Sequence, residues 1–195
     1  MEQHKAVLMD EATVNRTLMR MAHEITEKNK GVGDLCLVGV HRRGEPLAKR
    51  LQQNIAQIEG VTVPCAALDT RLFRDDIPQS EPAKPPVFPF DIVGKTVVLV
   101  DDVLFTGRTV RAAIEAIFAL GRPRAIQLAI LIDRGHRELP FRADYVGKNI
   151  PTAHAELVAV KLPPVDEETG VYLYKGNQGE CSPSFINFCY EEEPL

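Results

Sequence analysis

Two adjacent carboxylates stand just before a hydroxyl-rich, glycine-containing turn near the middle of the chain. Asp101 and Asp102 follow the apolar run 97–100, and residues 106–109 (TGRT) come shortly after them. Paired carboxylates can accept hydrogen bonds from the two hydroxyls of a ribose. Gly107 lets the backbone approach a ligand, and a helix that begins at this turn offers unpaired N–H groups to a phosphate. These residue types predict a site for a phosphorylated sugar.

A helix N-cap without any ligand is the structural alternative for this stretch. A cap needs one Asp, Ser or Thr, whereas this segment carries two acids followed by TGRT. The glycine spacing also differs from GxGxxG and from GxxxxGK[ST], which argues against a dinucleotide site or a Walker-type nucleotide site. We therefore favour the sugar-phosphate interpretation.

A second candidate anion site comes earlier, after the apolar run 35–40. It consists of His41, Arg42, Arg43 and Gly44, which precede a predicted helix. Two arginines in a glycine-terminated turn before a helix N-terminus suit an anion. A solvated basic turn is the alternative.

Alternating helices and strands must position these two motifs. Amphipathic spacing predicts helices, and continuous apolar runs predict strands that are covered on both faces. The predicted helices span 10–30, 46–60 and 108–120, and the predicted strands span 35–40, 61–68, 97–100, 126–132 and 157–161. This order is typical of an α/β fold with a parallel β-sheet flanked by helices on both faces. Ligands in such sheets bind beyond the carboxyl ends of the strands.

Two segments interrupt the alternation. Residues 74–91 contain five prolines and predict a long exposed lid loop. Residues 133–154 read as a long charged connection.

The charge is unevenly distributed along the chain. The formal net charge is −4, but residues 163–195 hold seven acids and one base, so the rest is weakly basic. This permits a nucleic-acid partner without arguing for one. The four cysteines lack CxxC spacing, and no apolar run is long enough to cross a membrane. We expect a cytoplasmic protein with no membrane partner.

Residues 97–109 (VVLVDDVLFTGRT) resemble the motif with which type I phosphoribosyltransferases bind 5-phosphoribosyl-1-pyrophosphate (PRPP). The resemblance implies the type I phosphoribosyltransferase fold with a small hood and a flexible lid loop. It implies that Asp101 and Asp102 hold the ribose hydroxyls, that residues 106–109 hold the 5′-phosphate and that residues 41–44 hold the pyrophosphate. The implied PRPP-binding residues are His41, Arg42, Arg43, Gly44, Asp101, Asp102, Val103, Leu104, Phe105, Thr106, Gly107, Arg108 and Thr109.

A finer resemblance covers residues 1 to about 162. The segments AHEITEKNKG, LFRDD, VDDVLFTGRTVRAA and DRGHRELPFRADYVGKNIPT are similar to the PyrR family, whose members are uracil phosphoribosyltransferases and attenuators of pyrimidine operons. This implies binding of uracil, PRPP, UMP and UTP, and of pyrimidine-operon leader mRNA. It implies Mg²⁺ carried by PRPP rather than by a cage of protein ligands, and a homodimer or larger assembly. We divide the chain into a phosphoribosyltransferase domain, 1–162, and an acidic C-terminal strand and tail, 163–195.

The same resemblance assigns roles to individual residues. Arg134 and Val158 contact the nucleobase, and Arg74 in the lid joins Asp101 and Asp102 as a candidate catalytic residue. Phe105 stands where purine-specific enzymes carry an acid, which favours uracil. The candidate RNA-binding residues are His23, His136, Arg137, Arg142 and Lys148, together with Arg16 and Arg20, which share one helical stripe with His23.

Two alternatives to the bifunctional assignment stay open. Met19 stands where RNA-binding members carry a small hydroxyl residue, and Arg42 stands where threonine is usual. Together with the acidic total, Met19 motivates a uracil phosphoribosyltransferase without an RNA-binding function. A pure sensor of UMP and UTP is the third hypothesis, and it is least favoured because every catalytic feature identified is present.

Overall fold

The structure, a computed structural model, describes residues 6–76 and 85–175. Strands and helices alternate through its first two thirds, and strands dominate the last third. The elements are β1 (Ala6–Met9), α1 (Glu11–Asn29), β2 (Leu35–Val40), α2 (Gly44–Glu59), β3 (Cys65–Leu68), a 3-10 turn (Arg71–Phe73), β4 (Thr96–Leu104), α3 (Arg108–Leu120), β5 (Ala125–Asp133), β6 (Tyr145–Asn149), β7 (Glu156–Lys161) and β8 (Gly170–Lys175).

Five parallel strands form the central sheet, in the order β3-β2-β4-β5-β6. Alternate side chains of each inner strand enter two separate apolar cores. Leu37 packs into the core that α1 and α2 cover, whereas Val38 packs into the core that α3 covers. The predicted α/β fold with helices on both faces is confirmed.

The three predicted helices form with small differences at their ends. Asp10 caps α1 by accepting a 2.8 Å hydrogen bond from the backbone N–H of Thr13. Lys30 ends α1 in the left-handed conformation, at φ 55°, although Gly31 was the predicted terminator. Gly60 ends α2 as predicted. The four predicted core positions of α1, Val14, Leu18, Met21 and Ile25, are all buried.

β4 is longer than predicted, and this changes where the paired acids lie. The strand continues through Asp101 and Asp102 to Leu104 by pairing with β5. Its pairing with β2 ends at Val100. The two acids therefore lie within the strand, on a stretch that only one neighbour borders.

Two other strand predictions were wrong. Only Cys65–Leu68 of the predicted strand 61–68 is extended within the sheet, and Val61 is exposed. The segment predicted as a connection over 133–154 contains β6, which forms an edge of the parallel sheet. β6 contains a lysine and a glycine, so its sequence lacks the apolar run from which the other strands were predicted. An edge strand tolerates such residues because it needs fewer apolar side chains.

A small antiparallel sheet forms the hood that the family resemblance predicted. Its order is β1-β8-β7. The strand predicted at 157–161 therefore belongs to the hood and not to the parallel sheet. β8, which falls in the acidic segment 163–195, lies between the two other hood strands and pairs with both.

The lid prediction lies partly outside the described residues. Residues 77–84 and the tail beyond residue 175 are not among them. The described part of the lid begins at Arg74, directly after the 3-10 turn. Within residues 6–76 and 85–175, no helix is long and apolar enough to span a membrane.

Candidate active site

The turn between β2 and α2 lies against the middle of β4. Arg42 takes the left-handed conformation at φ 74°, which is uncommon for a residue with a side chain. A Cβ on Gly44 would come within 2.5 Å of the Val100 carbonyl oxygen. Glycine at position 44 thus lets this turn, residues 41–44, which we call the arginine turn, approach the strand that carries the paired acids.

The two carboxylates of β4 are largely removed from water. Asp101 is 7% exposed, and its Oδ1 accepts a 2.9 Å hydrogen bond from the Asp102 backbone N–H. Burial, together with the neighbouring Asp102 carboxylate, raises the pKa of Asp101 well above its ordinary value. Burial also raises the pKa of Asp102, although Arg43 opposes that shift. A ligand that donates hydrogen bonds here would stabilise both carboxylates.

Two arginines from distant segments flank the acids. Arg74 donates a 2.6 Å hydrogen bond to the Thr109 hydroxyl and pairs with both oxygens of Asp76 at 2.6 and 2.7 Å. Arg43 donates to both oxygens of Asp166, in the β7–β8 connection, at 3.0 and 3.1 Å. The structure therefore brings together the arginine turn, the start of the lid and the TGRT turn, as the sequence predicted.

The TGRT turn leads directly into α3. Gly107 has φ 94°, and a Cβ on it would meet the Phe141 ring at 3.0 Å. The Arg108 guanidinium forms an ion pair with Glu138 at 2.8 Å. The first N–H groups of a helix have no partner within the helix, so this turn is suited to hold a phosphate.

Arg134, directly after β5, lies against Phe105, directly after β4. It is 5% exposed, and it donates hydrogen bonds to the Thr152 hydroxyl at 3.1 Å and to the Glu156 carbonyl oxygen at 2.6 Å. Its guanidinium carbon lies 4.1 Å from the Phe105 ring centroid. Burial lowers the pKa of Arg134. Val158, the second predicted nucleobase contact, is buried in β7.

Two histidines also lie beside Phe105, and the sequence marked only one of them as a candidate. The rings of His136 and His154 lie 3.9 Å apart between centroids. Phe105 meets each ring edge-on, at 5.9 and 6.1 Å. His154 is exposed in the loop before β7, and no motif or spacing marked it. Only the fold brings it to Phe105.

The candidate RNA-binding residues divide into two groups. Arg20 on α1 donates to the carbonyl oxygens of Val146 and Gly147 at 3.0 and 2.7 Å, so the α1 stripe adjoins β6. The Lys148 ammonium, also on β6, lies 3.1 Å from the Leu8 carbonyl oxygen. These two residues lie at the surface with the other exposed members, Arg16, His23 and Arg142.

His136 and Arg137 do not join that surface. The His136 ring hydrogen-bonds the Thr152 carbonyl oxygen and contacts the Phe105 ring. The Arg137 side chain is 22% exposed and points into the chain. The RNA-binding role of Arg137 therefore stays a prediction, although its guanidinium is bonded to acceptors within the chain.

Comparison with known proteins agrees with this architecture. The phosphoribosyl transferase domain family matches residues 8–165. The hypoxanthine phosphoribosyltransferase of Trypanosoma cruzi, solved with the product IMP, superposes with a TM-score of 0.69 and 20% identity over 97% of each chain. A hypoxanthine phosphoribosyltransferase of Staphylococcus aureus gives a TM-score of 0.62 and 19% identity, over 79% of this chain and 81% of that one. These likenesses establish the fold.

Closer relatives bear one name, "Bifunctional protein PyrR". That of Pelotomaculum thermopropionicum is 56% identical over 178 residues, covering 89% of this chain and 97% of the relative. That of Thermus thermophilus is 54% identical over 177 residues, covering 88% of this chain and 96% of the relative. The chain therefore belongs to the phosphoribosyltransferase family and, within it, to the PyrR proteins.

Proposed function

We propose that the protein is a uracil phosphoribosyltransferase, which converts uracil and PRPP to UMP and pyrophosphate. We also propose that it binds pyrimidine-operon leader mRNA in response to UMP and UTP. The observation that carries the enzymatic assignment is the Asp101–Asp102 pair, of which Asp101 is buried and Asp102 partly buried. The pair lies between Arg43 and Arg74 and is followed by the TGRT turn.

Each part of PRPP has a matching group in this arrangement. The ribose hydroxyls donate to Asp101 and Asp102, whose burial strengthens such hydrogen bonds. The 5′-phosphate lies at the N-terminus of α3, where backbone N–H groups and the Thr106 and Thr109 hydroxyls donate to it. The pyrophosphate lies near the arginine turn, 41–44.

The two arginines stabilise the leaving pyrophosphate. Arg43 and Arg74 are bonded to Asp166 and Asp76 respectively. A bound pyrophosphate competes with those carboxylates for the guanidinium groups, because both anions match the two-pronged donor geometry of arginine. Charge then develops on the leaving group next to donors that are already in place.

The site also fits Mg²⁺ that arrives with PRPP. Mg²⁺ prefers phosphate oxygens and water, and retains an octahedral shell. Within residues 6–76 and 85–175, no group of three or more His, Cys, Asp or Glu side chains is arranged to hold a metal. When it is bound together with PRPP, the ion would supply positive charge to the leaving group. Asp101 and Asp102 orient the ribose hydroxyls from the protein side.

In this proposal the base binds beside Phe105 and Arg134. An aromatic ring and a buried arginine give a flat ligand a stacking surface and fixed donors. Phe105 occupies the place where purine-specific members carry an acid, and this favours uracil over a purine.

The RNA-binding proposal rests on the exposed basic surface of α1 and β6 and on the family. Arg16, Arg20 and His23 present donors along α1, and Lys148 extends the surface onto β6. Phosphate contacts by such residues position an RNA, and unpaired loop bases carry the sequence information. We propose a cytoplasmic homodimer or larger assembly.

Turnover is the direct test of the enzymatic proposal. Purified protein with Mg²⁺, PRPP and uracil should form UMP, and Asp102→Asn should lower kcat/KM by about 10²-fold. Uracil should also exceed hypoxanthine and guanine in kcat/KM. A higher kcat/KM with hypoxanthine or guanine would show that the substrate is a purine and not uracil. Wild-type rates from both Asp101→Asn and Asp102→Asn would remove the acids from the mechanism.

A further inference from the structure

Arg137 is bonded to three segments that converge behind the TGRT turn. Its side chain donates to a carboxylate on β5 and to carbonyl oxygens of β4, of the residue that follows β4 and of the loop that carries Arg137. The acceptors are Asp133 and the carbonyls of Leu104 (3.2 Å), Phe105 (2.8 Å), Gly135 (3.1 Å) and Phe141 (3.1 Å). Nη1, which has two hydrogens, donates to three of these carbonyls, those of Leu104, Phe105 and Gly135, so at least one of its N–H groups is shared. The planar guanidinium provides five N–H donors in all, whereas a lysine ammonium has only three.

The loop that carries Arg137 is packed against the phosphoribosyl loop, which we define as residues 105–109. The Thr106 carbonyl oxygen accepts hydrogen bonds from the backbone N–H groups of Glu138 and Leu139, both at 3.0 Å. Phe141 closes over Gly107. The loop carrying Arg137 therefore forms the rear wall of the phosphoribosyl loop.

We propose that Arg137 is a positioning residue for the phosphoribosyl loop and acts in PRPP binding through the backbone that it holds. By holding the Leu104 and Phe105 carbonyls from behind, Arg137 fixes the peptide planes that lead into Thr106 and Gly107. Backbone N–H groups bind a phosphate tightly only when they are already oriented toward its position before the ligand binds. This inference rests on the proposed phosphoribosyltransferase function.

Calorimetric titration with Mg²⁺-PRPP tests the inference without requiring turnover. The variants are Arg137→Lys and Arg137→Ala, and Arg122→Gln is the control, because Arg122 is exposed after α3. We expect both Arg137 variants to weaken PRPP binding by about 10- to 100-fold and Arg122→Gln to leave it unchanged. In turnover, KM for PRPP should rise in Arg137→Lys while KM for uracil changes less than about 3-fold.

Chemical rescue separates positioning from a general loss of fold. Millimolar guanidinium added to Arg137→Ala should restore part of the PRPP affinity, and an equal concentration of NaCl should not. Guanidinium would only destabilise a protein that had simply lost stability. The melting temperature of each variant, measured alongside, shows that the titrated protein is folded.

The outcomes distinguish this inference from the proposed function. Wild-type protein that binds PRPP but makes no UMP would overturn the uracil assignment, and the PRPP affinities would still test Arg137. Folded Arg137 variants that bind PRPP like the wild type, and lose only leader-RNA affinity, would overturn the positioning role. Weaker PRPP binding that guanidinium does not restore in a folded Arg137→Ala would also overturn it.

Discussion

The Arg134 guanidinium stacks on the Phe105 ring at 4.1 Å, and this contact joins the end of β4 to the end of β5. Arg134 is also bonded to the Thr152 hydroxyl and the Glu156 carbonyl oxygen, so its position is set from both sides. A base that enters beside Phe105 therefore meets donors whose orientation is already determined. The pair therefore links the proposed sugar site to the proposed nucleobase site.

Removing Arg134 should affect the base more than PRPP. Arg134→Met should raise KM for uracil by about 10-fold or more, since hydrogen bonds to charged groups contribute about 1.5–3 kcal/mol. KM for PRPP should change by less than about 3-fold. Steady-state kinetics with each substrate varied in turn give both constants. An increase confined to PRPP would place Arg134 outside the base pocket.

Asp101→Asn should stabilise the folded protein while lowering its activity. Because the folded pKa of Asp101 is raised, the folded state binds a proton more tightly than the unfolded state. Stability therefore falls as pH rises from the unfolded pKa through the folded pKa. Asparagine removes this penalty, so the melting temperature at pH 7 should rise by about 2–4 °C for each kcal/mol relieved. Its pH dependence above pH 4 should also be shallower, as thermal melts across that range would show. A melting temperature below that of the wild type at pH 7 would contradict this account.

Gly107→Ala should damage the phosphoribosyl loop more than its backbone conformation alone explains. Gly31 is the matched control, because it also has positive φ but has no atom near its would-be Cβ. Alanine at either position should cost about 1–3 kcal/mol of unfolding free energy from the backbone. Only Gly107→Ala adds the contact with Phe141 and should raise KM for PRPP. Denaturant unfolding and PRPP kinetics measure the two effects. Equal costs, with unchanged KM for PRPP, would show that the Phe141 contact is relieved without moving the loop.

Leader-RNA binding should depend on the exposed basic residues. Arg142→Gln should weaken binding and reduce the slope of log Kd against log salt by about one unit or less. Gel-shift titrations with and without UMP, and with a scrambled RNA, provide the measurement, and Arg122→Gln is the control. We expect UMP to tighten binding to the leader RNA, and the coupling must be reciprocal. Equal affinity for both RNAs would favour the enzyme without an RNA-binding function.

Much of the fold could be predicted from local patterns. Continuous apolar runs identified β2, and amphipathic spacing identified α1 with its buried stripe. The edge strand β6 could not be identified in this way, because it carries the exposed Lys148 and, facing α1, Gly147, where a Cβ would meet the Leu131 carbonyl oxygen and Thr17. β7 was recognised as a strand but assigned to the wrong sheet. Its one partner, β8, pairs in turn with β1 at the other end of the described chain, and strand pairing is not encoded in one segment.

The sequence by itself determined the chemistry at the end of the central strands: two acids, a TGRT turn and an arginine turn, each adjacent to a predicted strand or helix. The reason is that these motifs are contiguous and their residue types restrict what they can bind. Only the tertiary structure decided which distant side chains meet them. The loop between β6 and β7 brings His154 to Phe105. Arg137 turns inward because five acceptors, from β5, the end of β4 and its own loop, converge on it. Such convergence depends on long-range packing, and residue spacing carries no record of it.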